Sequence, residues 1–408
     1  MPTLLLGRVL LHPGVAVDDA AIVVDGETVT WVGPRAALPD AFRGLPAVAA
    51  PLWTAGLVDA HTHAAWLGSR HAEYVMKLRG EGYEAIAARG GGILASMRAI
   101  EEDQTELADV LIQRLRRMRA MGVTTVEVKS GYGLEPHLER AQLEAIAVAA
   151  RAEGVPRVVP TYLALHALPL RARKDAAARA AYVAGAIALT REVVREGFAR
   201  FVDAYVDRNA FQVDEARGVA MAAKEAGAGV RLHVGQFADI GGAALAAEVG
   251  AASVDHMEHA TLEGLDQLAK AGVRVGLLPV ASFVLGQAPP EIAGMRRAGL
   301  RMFVASDANP GTAPTESLPL ALAFAARSYG LTADEVLGGA TVEAAASLDL
   351  PSVGRVAEGA AADLVGWELP HEDALLQPWG VRKAKHVFVR GVACRDARDP
   401  ESPSGIAG

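Results

Sequence analysis

A single cysteine, Cys394, stands in the whole sequence of 408 residues. One thiol excludes an intramolecular disulfide and a thiolate-rich metal centre, so any metal must be held by nitrogen and oxygen. A long apolar run is missing as well. The longest notable uncharged stretch, Val275 to Pro290, is interrupted by Gly276, Pro279 and Gly286 and falls short of the ~20 apolar residues that a membrane helix requires. The opening MPTLLLGRVLLHPG has no basic leader, and its apolar run is broken by Gly7 and Arg8. It does not read as a signal peptide, and a cytoplasmic location is predicted.

Positive charge is outnumbered, with 40 Lys and Arg against 48 Asp and Glu. The formal net charge is -8, with no Lys/Arg run and no interleaving of basic and aromatic residues, which argues against nucleic acid as a partner. A negatively charged substrate would therefore need a local arginine of its own. The glycines at 90–92 and 241–242 lack the strand-turn-helix setting and the following Lys-Ser/Thr of a phosphate loop, so no nucleotide site is predicted. There is no internal repeat of note, and only the tail from Asp396 to Gly408 reads as unstructured.

What is present points to a large globular body. With 51% hydrophobic and 22% charged residues, the chain can bury a big core in one main domain with a small satellite. From Gly56 onward, short β-branched apolar runs alternate with longer Ala-rich segments of helical period, the pattern of repeated βα units around a parallel sheet. Strands are predicted near 57–63, 123–129, 157–165, 201–206, 230–235, 252–258, 273–279 and 301–307. Helices are predicted near 137–152, 173–197, 213–226, 241–249, 261–271 and 290–299, with more after 315. Eight strands with intervening helices make an α/β fold, a TIM-like (β/α)8 barrel whose active site lies at the C-terminal ends of its strands. The first connection, 64–122, is much longer than the others, and its glycines and aromatic/Arg mixture suit a lid or substrate loop.

The two ends of the chain have another texture. TLLLGRVLL, AIVVDGETVTWVG, ADLVGWE and KHVFVRGVACRD all read as short strands, with Asp25-Gly26 placed as a hairpin turn. Neither end can bury its apolar face alone, so 1–55 and 353–408 are predicted to form a small composite β-sandwich domain beside a barrel at 56–352.

Polar residues fall at the predicted strand ends with a regularity that core packing does not demand. The segment PLWTAGLVDAHTH (51–63) ends an apolar strand on His61 and His63, which share a face because strand side chains alternate. His166 follows the third strand, His233 lies on the fifth, His256 on the sixth and Asp307 on the eighth. Taken singly, each is commonly a satisfied structural residue or a turn former. Together they face one mouth. Three imidazoles and a carboxylate, His61, His63, His233 and Asp307, suit one Zn or Fe ion that keeps a position for water and lowers its pKa to around 7. His166 and His256 are left for orienting or substrate work. Lys129 is a candidate bridging ligand for a second metal only if carbamylated; no carboxylate cluster is apparent beside it, and a structural role is expected. His12, His71, His137, His259, His371 and His386 lie in loop, packing or terminal contexts.

These residues resemble the metal-dependent amidohydrolases, whose barrel, first-strand His-x-His, fifth-strand His and eighth-strand Asp are all matched. Within that superfamily the chain is similar to the imidazolonepropionase family in HTHAAWLGSRHAEY (61–74), YEAIAARGGGI (83–93), GVTTVEVKSGYGL (122–134), DHMEHA (255–260) and SDANPGTAPTE (306–316). The resemblance implies hydrolysis of the cyclic amide of 4-imidazolone-5-propanoate to N-formimidoyl-L-glutamate by a metal-activated water, and a homodimer. It implies substrate contacts from Arg70, Tyr132, His166, Gln236, Asn309, Gly311 and Thr312. Arg70 suits a propionate carboxylate, which a guanidinium can grip bidentately. The fifth-strand HVGQF departs from the commoner form of this segment. Since an amide cannot shuttle a proton, Gln236 is expected to orient the ring while Asp307 and His256 handle protons. Other readings are another cyclic amidohydrolase or a deaminase, or a catalytically silent metal-binding relative.

Overall fold

The computed structural model describes residues 2–82, 85, 86, 91–208, 210–377 and 381–394. The predicted tail and most of YEAIAARGG lie outside them. Eight strands, β5 (Leu57–Asp59), β6 (Val123–Lys129), β7 (Arg157–Leu165), β8 (Phe201–Val206), β9 (Gly229–Val234), β10 (Ser253–His256), β11 (Arg274–Leu277) and β12 (Met302–Val304), pair in parallel in chain order. A bridge between Thr62 and Ala308 joins the first to the last, with His63 N donating to Ala308 O at 3.0 Å and Asp307 N to His61 O at 3.1 Å. The sheet thus closes through the residues that carry the predicted site.

Every residue of β6 is buried, as a parallel strand covered on both faces should be. Strands β6, β7 and β8 run over the predicted spans, whereas β5, β11 and β12 are shorter. Past Asp59 the chain pairs through one isolated bridge, Thr62 with Ala308. The predicted helices form within a few residues of their expected limits. Helix Val213–Ala226 matches outright, opened by a capping box between Gln212 and Glu215 and closed by left-handed Gly227. A further helix, Pro279–Leu285, starts with proline at its first turn, inside the uncharged stretch that periodicity left unassigned. The long first connection holds helices His71–Leu78, Ile93–Glu102 and Leu107–Ala120. No helix among the described residues is long and apolar enough to cross a membrane.

Both chain ends enter a second sheet. Its seven strands run β15-β14-β13-β4-β1-β2-β3, where β1 is Thr3–His12, β2 Val15–Asp25, β3 Thr28–Pro34, β4 Ala47–Ala55, β13 Leu364–Trp367, β14 Ala384–Val389 and β15 Val392–Ala393. The sheet curls on itself: Val29 N donates to Ala360 O and Ala362 N to Glu27 O, returning the chain before β13 to the start of β3. The two halves face each other over one cluster that includes Leu5, Val9, Ile22, Trp53, Leu364 and Phe388, which is the expected small sandwich. The β2–β3 turn is Gly26-Glu27, one residue beyond the Asp25-Gly26 expected, since Asp25 pairs with Thr28 and Gly26 takes φ +58°.

Candidate active site

The mouth of the barrel is built from residues that end its strands. His61 and His63 follow β5, His233 lies in β9, His256 ends β10 and Asp307 follows β12; all are buried. His256, Met257 and Asp307 take φ of +85°, +71° and +54°, a left-handed backbone that non-glycine residues adopt at a cost of about 1–3 kcal/mol each. The surrounding ladder holds that strain, with Met257 N bonded to Val234 O and Asp307 N to His61 O.

The side chains converge. His63 Nε2 lies 3.2 Å from His233 Nε2. Asp307 Oδ1 is 3.6 Å from His61 Nε2 and 3.5 Å from His63 Nε2. Ligand atoms of His61, His63 and Asp307 fall within 4.8 Å of one another, and so do those of His61, His233 and His256. His61 Nδ1 donates to Asp255 Oδ2 at 2.8 Å and His233 Nδ1 to Asp203 Oδ1 at 3.1 Å. Each carboxylate fixes the tautomer of its histidine and turns the lone pair of Nε2 inward. His61 Nε2 is buried without a hydrogen-bond partner, a costly condition unless something else occupies that lone pair. Burial, followed by the Lys129 charge for His61 and the His166 ring for His63, holds both imidazoles well below their ordinary range, hence neutral. Neutral imidazoles and a carboxylate around one point fit a divalent metal ion.

Behind this cluster lies a buried charge network that strand spacing did not reveal. Lys129 Nζ donates to Glu127 Oε1 and Asp203 Oδ2, both at 2.8 Å, with all three side chains inaccessible to solvent. Glu127 Oε2 accepts from Thr62 N at 3.1 Å, between the two first-strand histidines. Carboxylates do accompany Lys129 after all, and they hold it as an ammonium: burial lowers its pKa, but Asp203 and Glu127 outweigh burial. An ammonium held between two carboxylates is not the neutral amine that carbamylation requires.

In front of the histidine cluster is a pocket lined by His63, Arg70, Ile93, Tyr132, His166, Tyr205, His233, Gln236, His256, Asp307, Asn309 and Thr312. The long first connection supplies Arg70 and Ile93. Arg70 is buried, and its Nε and Nη2 donate to Glu73 Oε2 at 3.0 and 2.7 Å. Of the residues expected to meet substrate, Gly311 alone is absent from the lining. It backs Arg70 instead, since a Cβ there would come 2.0 Å from Arg70 Nη1. Asn309 lines the cavity yet spends its amide on the turn: Oδ1 accepts from Gly311 N and Thr312 N, and Nδ2 donates to Asp307 O. Tyr132 packs edge-on to His166 at 5.3 Å between ring centroids. Glu139 anchors the Tyr132 loop by accepting from the backbone N–H groups of Gly131, Gly133 and Leu134.

His166 is held down to about 3, chiefly by burial and in spite of its bond to Gly131 O. Because Nδ1 donates to that carbonyl at 2.8 Å, Nε2 is left as an acceptor. His256 behaves differently: burial lowers it, but Glu258 and Asp307 outweigh burial and raise it. The Asp307 carboxyl is pushed up to about 7 by burial, against the pull of His256. None of His12, His71, His137, His259, His371 and His386 lines the cavity. Sequence reasoning missed Asp203, Asp255, Ile93 and Tyr205. The signal available for the two aspartates was a carboxylate inside an otherwise apolar strand, which has few bland explanations.

The family model described as the Amidohydrolase family matches residues 52–394. Imidazolonepropionase from Maricaulis maris is 39% identical over 373 residues, covering 91% of this chain and 92% of its own. Imidazolonepropionase from Acidiphilium cryptum is 41% identical over 388 residues, covering 93% and 95%. Among solved structures, atrazine chlorohydrolase from Arthrobacter aurescens TC1, complexed with zinc, superposes with a TM-score of 0.69 at 16% identity over 96% of this chain and 94% of its own. Ochratoxinase from A. niger gives 0.69 at 19% over 98% and 99%. At such identities the structures share the fold, while the sequence relatives share nearly the whole chain. The chain belongs to the amidohydrolase family and, within it, to the imidazolonepropionases.

Proposed function

We propose that this enzyme hydrolyses the cyclic amide of 4-imidazolone-5-propanoate to N-formimidoyl-L-glutamate, a step of histidine degradation. The observation that carries the reading is a single cavity with a neutral histidine cluster on one wall and a buried arginine on another, in a chain about 40% identical to imidazolonepropionases along its length. His61, His63, His233 and Asp307 would hold one zinc or iron ion. Bound in such a donor set, a divalent ion supplies Lewis acidity, lowering a water's pKa to around 7 and polarising a carbonyl.

The chain's own residues do the rest. Arg70 binds the propanoate carboxylate, and Glu73 keeps the guanidinium oriented while it does so. Asp307 accepts the attacking water's proton, its carboxylate lying 3.6 Å from His61 Nε2 and 3.5 Å from His63 Nε2 at the mouth of the barrel. His256, inclined to its charged form by Glu258 and Asp307 despite burial, donates to the carbonyl oxygen as negative charge develops there. Such a preorganised donor is worth roughly 3 kcal/mol of barrier. His166 accepts a ring N–H, and Gln236 orients the ring without taking a proton. Tyr132, Asn309 and Thr312 close the cavity around the substrate. The same reading assigns catalysis to 56–352 and the composite sandwich to 1–55 with 353–408, in a cytoplasmic homodimer.

Purified, metal-replete protein given freshly generated imidazolonepropanoate should abolish the substrate's ultraviolet absorbance. Hydantoins, cytosine and guanine, assayed in parallel, should be turned over far more slowly. Absence of decay with the imidazolone, or faster turnover of one of the others, would sink this reading.

A further inference from the structure

Tyr205 is legible in the sequence only as one residue of an apolar strand, yet in the fold it lines the cavity beside Gln236. Its hydroxyl donates to Gln236 Oε1 at 2.7 Å. Its ring meets the His233 ring edge-on, 5.7 Å between centroids, so the phenol is braced against the metal cluster. The main chain of Gln236 is held as well, since Gln287 Nε2 donates to its carbonyl oxygen at 2.6 Å. What remains is the amide nitrogen, Nε2, which meets no acceptor among the described residues.

A primary amide has two faces of opposite polarity and nearly equal shape, so a glutamine on a cavity wall can present either one. In this structure the Tyr205 hydroxyl donates to Oε1, so the oxygen faces the phenol and the nitrogen is turned away from it. With its oxygen held at Tyr205, Gln236 has its amide N–H groups left to donate, whereas His166, whose Nδ1 is spent on Gly131 O, is left with Nε2 as an acceptor. One fixed donor and one fixed acceptor complement a ring that carries both a lone pair and an N–H. We infer that Tyr205 is a specificity-determining positioning residue: by fixing the amide of Gln236 it makes the cavity prefer a ring that offers a hydrogen-bond acceptor at that point over one that offers a donor. This rests on the proposed function for the shape of its probes, five-membered rings bearing a propanoate.

The test uses metal-loaded protein and calorimetric titration with two ligands, so that it does not depend on turnover. 3-(1,3-Thiazol-4-yl)propanoate has a ring acceptor and no N–H; 3-(pyrrol-3-yl)propanoate has an N–H and no ring acceptor. Tyr205→Phe removes one hydroxyl and keeps the ring, and it should lower the ratio of thiazole to pyrrole affinity by about tenfold, the size of one neutral hydrogen bond. Gln236→Ala should lower it equally. Any direct affinity of the thiazole nitrogen for the metal is common to all three proteins and cancels in the comparison. A purely structural role for Tyr205 would weaken both ligands alike and leave the ratio unmoved, and that result overturns the inference. So does a ratio that survives Gln236→Ala, or failure of the wild-type protein to bind either probe. Turnover of the imidazolone, assayed separately, reports on the functional reading alone.

Discussion

Replacing Lys129 by methionine tests whether the buried charge network behind the histidines is as tightly interdependent as its geometry implies. Lys129 has no solvent contact and lies 2.8 Å from a carboxylate oxygen of both Glu127 and Asp203. At an effective dielectric of about 20, each contact is worth about 6 kcal/mol of gross attraction. Desolvating the three ions costs several kcal/mol apiece, so the intact triad contributes little net stability. Removing the cation alone is another matter, because two carboxylates then remain buried with one counter-charge fewer. Loss of one member of such a network costs about 3–5 kcal/mol. Methionine keeps the stem volume, so a cavity adds little to that figure.

Unfolding in urea, followed by circular dichroism on metal-stripped protein, should show Lys129→Met destabilised by that amount. Adding Glu127→Gln removes one orphaned charge, and the double variant should recover at least 1 kcal/mol relative to the sum of the single changes, as coupled sites do. The carbamate alternative makes a different prediction, a dependence of activity on bicarbonate that wild-type protein should not show. A cost below 1 kcal/mol for Lys129→Met, or strict additivity, would refute the reasoning.

Asp255→Asn should weaken zinc binding about 10–100-fold in competition with a chromogenic chelator, because the amide no longer fixes the tautomer of His61; unchanged affinity would remove Asp255 from the metal centre's support. Arg70→Ala should raise KM for the imidazolone strongly while changing kcat much less, the mark of lost ground-state binding; an unaltered KM would take Arg70 out of the substrate cavity. Glu372 lies against Arg8, which together with the opposing effect of burial leaves its carboxyl below the usual range. A depressed folded-state pKa gives stability that is present above the unfolded value near 4.3 and fades as pH falls through the folded one. Glu372→Gln should therefore cost about 1–2 kcal/mol at pH 7 and less at pH 3, measured by thermal unfolding at both; equal costs at both pH values would contradict the pairing.

The eight barrel strands were legible because their β-branched runs alternate with Ala-rich helices, and β6, β7 and β8 have sharp edges in sequence as in space. Histidines at strand ends betrayed the metal cluster for the same reason: imidazoles there are conspicuous against apolar neighbours. The partners that orient them were not conspicuous. Asp203 meets His233 between the adjacent strands β8 and β9, and Asp255 reaches His61 from β10 across the barrel, 30 and 194 residues apart in the chain, and no local pattern encodes such distances. Tyr205 was hidden because a tyrosine in a strand reads as packing. Gly311, which the family resemblance implied as a substrate contact, lies against the Arg70 guanidinium, where a side chain would not fit, a closeness that the sequence does not encode.

The pairing of β4 with both β1 and β13 bears on how the enzyme is made. Strand β4 runs directly into the segment that bears His61 and His63, and one of its flanking strands lies more than 300 residues downstream. A ribosome has synthesised Arg70, His233, Asp307 and all eight barrel strands before Leu364–Trp367 emerges. Until then the base of the first barrel strand has an open edge, where Gly56 N will later meet Asp363 O. Contacts of such long range are slow to form, so the edge beside the histidine-bearing segment is closed only after every barrel strand has been made.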